Sequence, residues 1–246
     1  TWTVSGSTVT STTATVSGTD LAGNAYSGTD SITFTIDNSN PTLVSFTDND
    51  TNNIVNNSTN VTLTATFSEP MIASPAISIS GLVTNTAMTV SASTNSTTWT
   101  YFWDVPVGND GVYFATVSGT DLLGNAYSGT ESITFIIDNT APTVSLTDTD
   151  SDNLVSNSDV VTITATFSER IAATPTLNLS GIISDAPMSA TPSDTVWTYT
   201  WTVSTSVSSA TATVSGTDLS GNAYSGTESI TFKIDNTLPT LLYFVD

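Results

Sequence analysis

Apolar and polar residues alternate with a period of two along much of the chain. Val61, Leu63, Ala65 and Phe67 are separated by Thr62, Thr64 and Thr66, and Val161, Ile163, Ala165 and Phe167 repeat the arrangement. Trp99, Tyr101, Trp103 and Val105 share one side of a second run, matched by Trp197, Tyr199, Trp201 and Val203. Ile133, Phe135 and Ile137 form a third run, echoed by Ile230, Phe232 and Ile234. Side chains on a strand point alternately to opposite faces, so this pattern predicts strands with one buried face and one threonine-rich face in water. No segment has a convincing helical period. Gly, Asn and Pro punctuate the runs, and the spacing predicts about seven short strands per unit, an all-β sandwich with the Trp-x-Tyr-x-Trp strand at its centre.

The units are copies of one another. The stretch from Gly18 to Thr29 recurs from Gly119 to Thr130 and again from Gly216 to Thr227. Ile36-Asp37-Asn38 with Pro41-Thr42 returns as Ile137-Asp138-Asn139 with Pro142-Thr143, and as Ile234-Asp235-Asn236 with Pro239-Thr240. Thr64 to Glu69 returns as Thr164 to Glu169. The repeating unit is therefore about 100 residues, the size of a self-contained domain. The expected division is the C-terminal part of one repeat (1–38), two complete repeats (39–139 and 140–236) and the first strand of a further one (237–246). The opening Thr1-Trp2-Thr3-Val4 reads as a cut from the middle of something longer. The proline after each Ile-Asp-Asn marks a short, stiff linker, because proline fixes its own φ and restricts the residue before it.

Thr-Phe-Ser-Glu, Trp-x-Tyr, Val-Ser-Gly-Thr-Asp-Leu-x-Gly-Asn and Ile-Asp-Asn-Thr-x-Pro-Thr, in that order, resemble the bacterial immunoglobulin-like repeats of giant surface adhesins. The resemblance covers essentially the whole chain. The Ser/Thr/Asn-rich style is also similar to the long adhesins of gliding bacteria. What the resemblance implies is tandem immunoglobulin-like β-sandwich repeats of about 100 residues, exported to the bacterial cell surface. Such repeats form a structural stalk that projects a distal binding domain and bears force, often rigidified by Ca²⁺ between repeats. The implied partners are neighbouring repeats of the same chain, and a surface or glycan ligand bound by domains outside this segment.

Composition narrows the chemistry. The 246 residues hold 22 Asp plus Glu against 2 Lys plus Arg, with no His and no Cys, for a net charge of −20. Two cations, Arg170 and Lys233, cannot line a phosphate-tracking groove, and the charge repels nucleic acid and anionic lipid. Without His or Cys the usual proton shuttles, thiol nucleophiles and most zinc or copper sites are excluded, which leaves hard cations held by oxygen. No apolar run approaches the length of a membrane span.

Acidic residues recur at fixed places. In a seven-stranded sandwich the loop after the first strand lies at the end where the chain leaves. The loops after the second and sixth strands lie where it arrives. The first of these carries Asp48, Asp50 and Asn52 in one repeat and Asp148, Asp150 and Asp152 in the next. The other two carry Glu69 with Asp121 and Glu131, then Glu169 with Asp218 and Glu228. The linkers supply Asp37 with Asn38, and Asp138 with Asn139. Each junction therefore gathers enough oxygens for Ca²⁺, which takes six to eight, and unpaired carboxylates so placed would repel one another. The expectation is a Ca²⁺ ion locking each repeat to the next. The competing reading is that these Asp and Asn residues simply form turns. Asp148-x-Asp150-x-Asp152 with Asp159 has calcium-loop spacing; the absence of flanking helices and of a glycine at the sixth position excludes an EF-hand, while an ion bound by this loop in the 140–236 repeat alone stays open.

Catalysis is not expected, because the acids sit in turns copied into every repeat. Tyr26, Tyr127 and Tyr224 recur in the loop after the sixth strand and raise a second reading, a carbohydrate- or surface-binding module in which the repeats touch the ligand. Packing of each Tyr beneath its own loop is the preferred account. A spacer within a large secreted hydrolase is a third possibility. Asp30-Ser31-Ile32 and Asp194-Thr195-Val196 resemble short acceptor motifs for O-glycans, with Ser31 and Thr195 as the candidate positions.

Overall fold

A computed structural model describes residues 8–91, 95–205 and 207–242. The chain is all-β. After a two-stranded hairpin of β1 (Val9–Thr15) and β2 (Ser31–Ile36) come two immunoglobulin-like sandwiches built to one plan. In the first, β3 (Leu43–Asp48), β5 (Asn60–Phe67), β9 (Thr98–Asp104) and β8 (Thr89–Val90) form one sheet in that order. The other sheet runs β4 (Ile54–Val55), β11 (Ser132–Ile137), β10 (Gly111–Ser118), β6 (Ala76–Ile79) and β7 (Val83–Ala87). In the second, the four-stranded sheet is β12 (Val144–Asp148), β14 (Val160–Phe167), β18 (Val196–Thr202) and β17 (Ser189–Ala190). Its five-stranded sheet is β13 (Leu154–Val155), β20 (Ile230–Ile234), β19 (Ser209–Ser215), β15 (Thr176–Leu179) and β16 (Ile183–Pro187).

Among the described residues each sandwich has nine strands where the alternation predicts seven. The extra pairs are two residues long, and period-two patterning has no purchase on so short a segment. Both arise where the chain changes sheets. Asn53 and Asn153, at φ 58°, turn the chain from β3 to β4 and from β12 to β13. Asparagine tolerates this left-handed conformation better than most residues. Buried Met88 and Met188 mark the second crossing, between β7 and β8 and between β16 and β17.

One compact unit gathers the described residues up to Thr51 with Asn60–Asp104 and Val112–Phe135. The other gathers Asn52–Thr59, Val105–Gly111 and the described residues from Ile136 on. In the first unit the inward residues of β5 (Val61, Leu63, Ala65, Phe67) are at most 2% exposed, and Trp103 meets Phe135 edge-on at 5.2 Å. In the second unit Val161, Ile163, Ala165 and Phe167 do the same work, and Trp201 packs on Phe232 at 5.6 Å. Burying large apolar side chains of this kind contributes about 1.5–3 kcal/mol each. The tryptophan strand does fill the centre of each sandwich.

Candidate metal centre and linker clamp

The motif Asp-Leu-x-Gly-Asn folds into the same small loop each time. Asp121 Oδ1 accepts the amides of Leu123 (2.8 Å) and Asn125 (2.9 Å), and its Oδ2 accepts Asn125 Nδ2 (2.7 Å). Asp218 repeats this with Ser220, Asn222 and Asn222 Nδ2, and Asp20 with Ala22, Asn24 and Asn24 Nδ2. The glycine is required by its backbone: Gly23, Gly124 and Gly221 have φ of 89°, 94° and 99°. Asp121 and Asp218 are each only 1% exposed. A carboxylate that deeply buried is tolerated because several donors surround it. At Asp121 burial raises the carboxyl pKa, but the Asn125, Leu123 and Gly124 hydrogen bonds together outweigh it and the net shift is downward.

The asparagine closing this loop reaches the linker. Asn125 Nδ2 donates to the Asp37 carbonyl at 3.1 Å, and Asn222 Nδ2 to the Asp138 carbonyl at 2.9 Å. Asn222 also accepts from Asn56 Nδ2 at 3.0 Å, and Asn52 Nδ2 donates to the Leu219 carbonyl at 3.3 Å. The linker and the loop after the sixth strand are thus stitched by amide hydrogen bonds.

At the same place three carboxylates converge. Asp37, Glu69 and Asp121 lie within the first unit, each with an oxygen within 4.8 Å of the others; Asp138, Glu169 and Asp218 form the same triad within the second. In each, one acid comes from the linker, one from just beyond a core strand and one from the Asp-Leu-x-Gly-Asn loop. Burial raises the Glu69 carboxyl pKa first, and the charges of Asp37 and Asp121 add to it; Glu169 is raised by burial and then by Asp138 and Asp218. Arg170, next to Glu169 in sequence, pairs instead with exposed Asp194 at 3.0 Å. An all-oxygen donor set in an anionic pocket fits a hard divalent cation such as Ca²⁺. Asp121 Oδ2 and Asp218 Oδ2 each accept from an amide yet keep lone-pair capacity for an ion.

The remaining candidates stand elsewhere. Asp48 Oδ1 accepts the Asp50 amide and Asp148 Oδ1 the Asp150 amide; Asp150 then accepts the amide of Asp152, and Asp152 that of Leu154. These are successive Asx turns, and none of the five is in either triad. Asn38 donates its amide to Thr8 Oγ1. Asn139 is fully engaged: its Oδ1 accepts the Asn57 amide at 2.8 Å, and its Nδ2 faces the Pro106 carbonyl and Asp110 Oδ1. Ser31 is exposed on β2, and Thr195 is half-buried beside Ser193. Asn56, Asn57, Asp110, Asn125 and Asn222 were not singled out by sequence as linker contacts. The recurrence of Asn in Asp-Leu-x-Gly-Asn was the available signal for Asn125 and Asn222. Asn56 had none, since Ser156 stands in its place in the next repeat.

Tyr127 and Tyr224 pack under their loops, whereas Tyr26 is exposed. Tyr127 meets Phe67 at 5.6 Å and Tyr224 meets Phe167 at 6.4 Å, both edge-on. A Cβ at Gly129 or Gly226 would come within 2.2 or 2.5 Å of the tyrosine hydroxyl, so glycine is what lets the ring lie down. Tyr127 donates to Glu131, and burial followed by that carboxylate pushes the phenol up to about 12.

Among known proteins, no family profile and no curated sequence matches the chain. Among solved structures it is similar to a 1.5-MDa bacterial ice-binding adhesin, at 21% identity over 90% of this chain and 73% of that one, with a TM-score of 0.48. It is also similar to a tetra-tandem repeat in the extending region of a large adhesion protein, at 22% identity over 89% of this chain and 55% of that one, TM-score 0.34. Fibronectin(III)-like modules of Clostridium thermocellum CbhA align at 16% identity over 82% and 100%, TM-score 0.40. In all three the TM-score is below 0.5, and the sandwich assignment rests on the strand pairing described above. Among the described residues no helix is long and apolar enough to cross a membrane.

Proposed function

We propose that this chain is an extender segment of a large secreted bacterial surface adhesin, in which Ca²⁺ at each linker ties one sandwich to the next. The repeats run 1–38, 39–139 and 140–236, with 237–246 opening another; residues 1–7, 92–94, 206 and 243–246 of these spans lie outside the described residues. The segment is non-catalytic, sits outside the cell, holds a distal binding domain away from the surface and carries load. One observation supports this above the rest: the linker aspartate, the post-strand glutamate and the loop aspartate meet twice, in the same way, where one repeat hands over to the next. An ion there would join three segments of chain that otherwise repel. The test is small-angle scattering of the whole chain with Ca²⁺ and after chelation. The expected result is a longer, stiffer particle with Ca²⁺; identical profiles would refute the clamp.

A second reading, a glycan-binding module, draws on hollows of ≈ 380, 420 and 210 Å³ beside Tyr127, Tyr26 and Tyr224. The edge-on packing of Tyr127 and Tyr224, and the glycine beneath each hydroxyl, disfavour ring stacking on a sugar. Binding to a glycan array by the intact chain would favour this reading over the extender.

A further inference from the structure

We infer that the linker asparagines Asn139 and Asn236 act as mechanical latches, extending a short parallel strand pair into a ladder that resists end-to-end pulling. This rests on the load-bearing reading above and adds a device to it that needs no ion. In each sandwich the short strand after the first pairs parallel with the last: Ile54 and Val55 with Ile136 and Ile137, and Leu154 and Val155 with Lys233 and Ile234. Two residues make a poor anchor, but the pairing does not stop there. The Ile136 amide donates to the Asn53 carbonyl at 2.8 Å and the Asp138 amide to Val55 at 2.9 Å; the side chain of Asn139 then accepts the Asn57 amide at 2.8 Å. The next repeat matches it: Lys233 to Asn153 at 2.8 Å, Asp235 to Val155 at 3.0 Å, and the Asn157 amide to Asn236 Oδ1 at 2.6 Å. Each latch is itself held. Asn139 Nδ2 faces the Pro106 carbonyl at 3.3 Å, and Asn236 Nδ2 faces the Thr205 carbonyl at 3.0 Å.

The direction of these bonds gives them their role. The short strand is loaded from its N-terminal side and the last strand from its C-terminal side. Parallel strands pulled that way slide lengthwise past each other, so every rung is strained together and none is unzipped first. The side-chain rung sits last before the linker, where the load arrives.

Constant-force unfolding of the whole chain, held by handles at both termini and kept in chelator, tests this. Lifetimes under force report the unfolding rate directly. The double variant N139A/N236A should shorten the lifetimes of both sandwiches by about five- to tenfold, the rate equivalent of one lost hydrogen bond each. I163V, a core change on a strand of the other sheet, should lower the denaturant midpoint at least as much while leaving lifetimes within about twofold. Lifetimes that simply follow denaturant stability across the variants, or wild-type lifetimes in the double variant, would overturn the latch. Chelator throughout keeps any Ca²⁺ clamp out of this measurement, and a failure of that clamp shows separately, as identical scattering profiles of the wild-type chain with Ca²⁺ and after chelation.

Discussion

Replacing Glu169 by Gln should change stability in opposite directions with and without calcium. Glu169 faces Asp138 and Asp218, with oxygens within 4.8 Å of one another. Two unit charges at that separation repel by about 1 kcal/mol in bulk water and by about 3.5 kcal/mol at an effective dielectric of 20. Glu169 is only partly buried, so the lower figure is the better guide and screening trims it further. In chelator, E169Q should therefore stabilise the chain by about 1 kcal/mol, a rise in Tm of a few degrees for a sandwich of this size. In millimolar Ca²⁺ the same variant loses a charged ligand, and a tenfold weaker affinity costs about 1.4 kcal/mol at saturation, which outweighs the gain of about 1 kcal/mol and leaves a small net loss. Thermal melts of wild type and E169Q in both buffers make the test. Pairwise repulsion also sets a pH dependence. A carboxyl whose folded pKa is raised contributes stability below its unfolded value of 4.5, and that contribution fades as pH rises through the folded pKa. Chelated wild type should thus gain stability on mild acidification from neutral pH, and E169Q should gain less. A variant that shifts Tm in the same direction in both buffers would refute the reasoning.

The other expectations concern single side chains. Trp99 Nε1 donates to the Ser96 carbonyl at 3.0 Å, while Trp197 Nε1 is buried with no partner among the described residues. Denaturant titration should therefore find W99F costlier than W197F by about 1 kcal/mol. Asp121→Ala empties a buried hub of three donors and should cost about 2–4 kcal/mol by the same assay, with Asn125 released from the linker. Gly124→Ala meets no atom within 4 Å but must hold φ 94°, so a loss of about 1 kcal/mol or more from backbone strain alone is expected.

The strands were legible because one face of each is buried and the other is threonine. The β5 and β14 alternation maps residue for residue onto burial. Two-residue β4, β8, β13 and β17 escaped, since a sheet switch leaves no periodic trace. In the candidate site the repeats exposed Asp37, Glu69 and Asp121 and their partners, because period alone marks acids that return at fixed positions. What period could not supply was the choice among acidic loops that recur alike at the two ends of a sandwich. Asp48 and Asp148 recur as faithfully as Glu69 and Glu169, yet each spends an oxygen on a local amide in an Asx turn. Asn56 and Asp110 make linker-side bonds of which the other repeat has no copy, so recurrence had nothing to show. Asparagine was undervalued throughout: it reads as a turn former, whereas Asn125 and Asn222 donate Nδ2 to linker carbonyls and Asn139 binds backbone with both ends of its amide.

The central claim is that each linker is closed by a cation held among three carboxylates. Calorimetric titration of the 246-residue chain with Ca²⁺ tests it most directly. The account predicts two equivalents from the two triads, with E69Q and E169Q each abolishing or weakening one at least tenfold. An absence of binding heat, or a stoichiometry untouched by both substitutions, would contradict it.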